Sequence, residues 1–109
     1  MFNTKKNIYT FLSKVYSRLR SEDFMVRLLK STKLHGRCYR GARWIELNPD
    51  GEILSTLVHE MIHDIYPSWT EKKVASSERL VMAQLSHRQM INLMDALVSA
   101  LKRGIEVKI

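Results

Sequence analysis

The chain has 109 residues, 45% of them hydrophobic and 27% charged, with a formal net charge of +7 and one cysteine. This is the length of a single domain spanning 1–109, sufficient for a hydrophobic core without cross-links, and a composition that excludes a disordered or disulfide-stapled chain. The lone Cys38 permits no internal disulfide and reads as a small buried thiol in a reducing, cytoplasmic setting. Met1 to Leu12 lack the pattern of a signal peptide, and no apolar run approaches a membrane span.

Charge is uneven. Residues 1–44 hold eleven Lys or Arg against two acids, a net of +9, whereas residues 45–109 hold seven against nine, a net of −2. The basic half could dock on nucleic acid or an acidic partner protein. The simpler reading makes Lys5, Lys6, Lys14, Arg18 and Arg20 the solvated face of a helix, because no aromatic-interleaved nucleic-acid motif accompanies them. That first helix is expected from a cap at Asn3 or Thr4 to about Arg20, with Ile8, Phe11, Leu12, Val15, Tyr16 and Leu19 at helical spacing.

Ser21 to Asp23 break the helix, and Phe24 to Lys30 read as a strand before a turn-like Lys33 to Gly36. A second extended stretch runs from about Arg37 to Leu47, with a possible bend at Gly41. Arg43 to Leu47 is either an edge strand able to hold an extended peptide by main-chain pairing or a buried central strand. Asn48-Pro49-Asp50-Gly51 ends it, and Asn48 or Asp50 can cap the next helix, expected over about Asp50 to Tyr66.

That helix contains His59-Glu60-Met61-Ile62-His63, an HExxH stretch. At 100° per residue, Ile53, Leu54, Leu57, Val58, Met61, Ile62 and Ile65 fill an arc of about 180°; His59 and His63 fall together outside it, and Glu60 lies at its border. Residues four apart stand one turn above each other, so the two imidazoles can meet one metal ion, typically Zn2+, beside a glutamate placed as general base. The apolar arc can pack inward while the histidines face elsewhere.

Pro67 stops this helix, and Ser68-Trp69-Thr70-Glu71 reads as a capping box opening another, to about Leu85. Glu71 and Glu78 both fall within its apolar stripe, where a carboxylate is costly unless paired or bound to a cation. A zinc ion needs a third protein ligand, and these are the obvious oxygen donors. The short turn makes the two helices antiparallel neighbours. Because side chains lean towards their helix N-terminus, Glu78 fits the metal's level better, with Glu71, already engaged by the capping box, as the alternative. Asp64 and His87 are further candidates. A final helix, Ser86 to Arg103, carries Met90, Leu93, Met94, Leu97, Val98 and Leu101, a stripe that reads as core.

The pattern His59-Glu60-x-x-His63 with a downstream glutamate resembles the gluzincin branch of zinc metallopeptidases. The run "IELNP…LSTLVHEMIHDIYPSWTE" is similar to minimal bacterial and phage zincins and, distantly, to SprT-like domains. The resemblance spans roughly Ile45 to Leu85, with specificity in the HExxH alone. There is no HExxHxxGxxH, no histidine closely following His63 and no Asn-Glu pair of the thermolysin kind, so the third ligand stays open. The resemblance implies an α+β, zincin-like fold: an N-terminal helix, a small sheet of two or three strands, the active-site helix and two further antiparallel helices. It implies a hydrolase acting on peptide or protein substrates, with Glu60 as base, Tyr66 or His87 helping to stabilise the oxyanion, and Asp64 orienting a ligand imidazole. The alternative is a basic binding module on the same fold, without catalysis; a purely structural zinc site would need a fourth protein ligand, for which the chain offers few candidates.

Overall fold

The computed structural model describes residues 5–28, 36–39, 44–48 and 52–108, and shows an α+β architecture. Helix α1 (Lys5–Arg20) forms as expected, since Ile8, Phe11, Leu12, Val15 and Leu19 recur every three or four residues and all are buried. Lys6, Lys14 and Arg20 stay in solvent on the opposite side. A turn closes the helix, with the Ser21 N–H donating to the Arg18 carbonyl and the Phe24 N–H to that of Ser21. The expected caps Asn3 and Thr4 lie outside the described residues.

Strands β1 (Met25–Leu28), β2 (Gly36–Tyr39) and β3 (Trp44–Leu47) form one mixed sheet in the order β1-β3-β2, with β1 parallel and β2 antiparallel to β3. The extended stretch expected over 37–47 is therefore two paired strands; Gly41 between them lies outside the described residues. Of the stretch Arg43 to Leu47, Arg43 lies outside the described residues and Trp44–Leu47 is not an edge, because β3 is hydrogen-bonded on both sides. Ile45 and Leu47 are fully buried on one face, and Val26 is the register partner of Ile45 in the core. The other face is half-buried, with the Arg27 guanidinium 5.4 Å from the Trp44 ring centroid. The edge strands are β1 and β2.

Helix α2 (Ile53–Ile65) lies against β2 and β3 and buries Leu57, Val58, Met61 and Ile62. It starts later than expected. Its N-cap is Glu52, without a side-chain cap hydrogen bond, and the first helical bond runs from the Thr56 N–H to the Glu52 carbonyl. Asn48 is buried directly after β3 and is not the residue at the N-cap of α2, while Asp50 lies outside the described residues.

Helix α3 (Glu71–Gln84) departs from the expected capping box. The Trp69 N–H donates to the Tyr66 carbonyl, drawing Ser68 into a tight turn, and Thr70 becomes the N-cap, its hydroxyl accepting from the Lys73 N–H. Glu71 is thus the first helical residue and is free of capping duty. Thr70→Ala is expected to lower unfolding free energy by about 1 kcal/mol, read as a lower urea midpoint, whereas Ser68→Ala leaves it unchanged. The reverse order would return the cap to Ser68.

Helix α4 (His87–Lys108) opens on a capping box of its own: the Ser86 hydroxyl accepts from the Gln89 N–H, and the Gln89 side chain accepts from the Ser86 N–H. It packs on β1 and α1 through Leu93, Leu97 and Ala100, but Met94 and Val98 of the expected stripe are exposed. The Arg103 guanidinium donates to the Leu19 and Ser21 carbonyls, placing a cation at the C-terminal end of α1. Among the described residues no helix is long and apolar enough to cross a membrane.

Candidate metal centre

Ser55, His59 and His63 follow one another at four-residue intervals, so one stripe of α2 presents all three. The stripe faces α3, where Glu71 and Glu78 stand two turns apart. Ser55 meets Glu78 and His63 meets Glu71, which fixes the two helices as antiparallel.

The Glu71 carboxylate bridges the imidazoles, with Oε1 2.7 Å from His59 Nε2 and Oε2 2.7 Å from His63 Nε2. The two rings are close, with centroids 5.0 Å apart and planes at 64°. Glu78 takes the other nitrogen of His59, Oε1 lying 2.8 Å from Nδ1, while its Oε2 accepts from the Ser55 hydroxyl at 2.5 Å. With the proton on Nδ1, this contact is a hydrogen bond donated by the imidazole to Glu78, and Nε2 is the nitrogen that can ligate a metal. His59 is thereby held from both sides.

Exposure separates the two glutamates. The Glu71 side chain is 69% exposed and that of Glu78 is 22% exposed, so the cluster opens to solvent at Glu71 and is backed by Glu78. Burial works against the Glu71 carboxylate, but the neighbouring His59 and His63 outweigh it and hold its pKa below the ordinary value. Glu60 is buried beside the cluster. Its desolvation pushes the pKa up to about 7, opposed by the charge of His59 and reinforced by those of Glu71 and Glu78.

One ligand atom each from His59, His63 and Glu71 lies within 4.8 Å of the others, a group that could hold a metal ion. Two imidazole nitrogens and a carboxylate oxygen are a donor set suited to zinc. Helix-level reasoning prefers Glu78 as the oxygen donor, yet the geometry brings Glu71 to both Nε2 atoms. The difference traces to the cap at Thr70, which leaves Glu71 unengaged at the start of α3 and able to fold across the histidines.

The remaining candidates lie elsewhere. Asp64 pairs with Arg18 of α1 at 2.5 Å, not with an imidazole, because adjacent helical residues point in different directions. Tyr66, at the C-cap of α2, is stacked on Trp69. His87 is exposed at the far end of α3 from Glu71, about 20 Å along that helix. Ser55 is the residue that sequence reasoning missed. Its signal was present, since it precedes His59 by one turn and continues the His59-His63 stripe. A comparison of the chain with protein-family models, with curated proteins and with solved structures finds no match.

Proposed function

We propose that the chain is a zinc-dependent metallopeptidase of zincin-like fold, with His59, His63 and Glu71 as metal ligands and Glu60 as general base. The observation that carries this reading is the convergence of His59 Nε2, His63 Nε2 and a Glu71 oxygen, on the HExxH helix, beside a buried carboxylate. Bound zinc would supply Lewis acidity, acidifying water and polarising a carbonyl. Glu60 takes a proton from the attacking water, whose oxygen bonds to the peptide carbonyl carbon. It then delivers that proton to the amine as the C–N bond breaks. Burial makes Glu60 a better proton acceptor than an exposed carboxylate, which suits it to this transfer.

Glu78 acts through His59. By accepting from Nδ1–H, it keeps Nε2 turned towards the ligand position, and Ser55 in turn holds Glu78. Among the described residues β2, against which α2 packs, is the strand beside this helix with an unpaired side, and main-chain pairing there would align an extended substrate.

Elemental analysis of protein purified without added metal tests the centre. About one zinc per chain is expected in the wild type and little in His59→Ala. A wild type that holds no zinc and takes up none when it is added would end this reading and leave the basic binding module, whose affinity for a polyanion falls steeply with salt.

A further inference from the structure

At the turn between α2 and α3, Tyr66 and Trp69 meet Lys14 of α1 and Lys73 of α3, four side chains that the metal centre does not use. Lys14 Nζ, from α1, lies 5.4 Å from the Tyr66 ring centroid; Tyr66 stacks on Trp69 with centroids 4.3 Å apart and planes at 11°; Lys73 Nζ lies 4.2 Å from the Trp69 centroid. The result is a column with a cation at each end and two rings between. It is tied to the metal centre by the chain itself: Tyr66 is three residues after His63, Trp69 two before Glu71, and Lys73 two after it.

Both lysines are exposed, and no carboxylate among the described residues pairs with either ammonium. Arg18 on the same helix differs, since Asp64 neutralises it. The rings attract both ammonium groups, so two positive charges without a carboxylate partner stand beside the cluster. The three steps limit the separation of the two ammonium groups to at most about four residues of extended polypeptide.

We infer that this column recognises acidic segments of polypeptide and gives the proposed peptidase a preference for carboxylates near the scissile bond. The preference rests on the reading above; the binding does not. An extended chain returns to the same face every second residue, so carboxylates up to four residues apart on one face can meet both ammonium groups. Single-stranded nucleic acid fits less well. Tyr66 and Trp69 are already stacked on each other and each has a lysine ammonium over its ring, so a base would have to compete with these contacts in order to stack.

The test is peptide binding to zinc-loaded Glu60→Gln protein, read by fluorescence anisotropy at low and high ionic strength. The probes are an extended peptide with two glutamates four residues apart, its glutamine counterpart, and an oligothymidylate of matching length. The glutamate peptide should bind about tenfold tighter than the glutamine one, by an amount that shrinks with salt. Lys14→Gln with Lys73→Gln should erase the difference. Arg88→Gln with Lys102→Gln, which removes the same charge from exposed positions on α4, should preserve it. Equal affinity for the two peptides, an equal loss in both double variants, or tighter lysine-dependent binding of the oligonucleotide would each overturn the inference. If the wild type cleaves no peptide while Lys14 and Lys73 still select the acidic one, the peptidase reading fails and this one stands. If the wild type cleaves both peptides equally and the lysine variants change nothing, only this one fails.

Discussion

Glu60→Gln is expected to retain one zinc per chain and to lose at least 10²-fold in kcat, with KM little changed. Glu60 is not among the atoms that converge on the ligand position, so its replacement leaves His59, His63 and Glu71 in place. The substitution keeps side-chain volume but removes the capacity to hold a proton, and a positioned base typically contributes 10²- to 10⁴-fold. Loss of activity through unfolding is separable, because a neutral amide is cheaper to bury than a carboxylate at this 8% exposed position. The variant should therefore unfold at no lower a temperature than the wild type. Full activity in Glu60→Gln would remove Glu60 as the base.

The elements that were legible in the sequence are those whose signal is local. The faces of α1 and α2 follow from residue spacing alone, and the separation of Leu57, Val58, Met61 and Ile62 from His59 and His63 on α2 is the separation found between core and cluster. What escaped depends on contacts between segments. Both Thr70 and Ser68 have capping chemistry, and the choice between them is made by the turn that stacks Trp69 on Tyr66. That choice then decides the role of Glu71. Likewise, period-two alternation over Trp44 to Leu47 suits an edge or a central strand equally, and only the partners on both sides distinguish them. Asp64 stands next to His63 in the chain, whereas its partner, Arg18, is 46 residues away.

The division of labour between the two glutamates of α3 gives the other large expected effect. Glu71 meets both Nε2 atoms and Glu78 meets Nδ1, so the first should behave as a metal ligand and the second as a support for one. Removing a residue that orients a ligand histidine typically weakens metal binding 10- to 100-fold, and Glu78→Ala should fall in that range. Glu71→Ala, which deletes one of three donors, should weaken it further. The conservative variants sharpen the contrast. A glutamine at 78 still offers a carbonyl oxygen to His59 Nδ1–H, so Glu78→Gln should be milder than Glu78→Ala. A glutamine at 71 puts a neutral amide where a carboxylate would ligate, so Glu71→Gln should be nearly as damaging as Glu71→Ala. Competition of each variant with a chromogenic zinc chelator measures this directly and requires no substrate. Should Glu78 show the ligand-like pattern and Glu71 the milder one, the oxygen donor is Glu78, and α3 must shift along α2 when the metal binds. The alternative outcome, with Glu71 as donor, needs no such movement, since Ser55 already holds Glu78 in its supporting position.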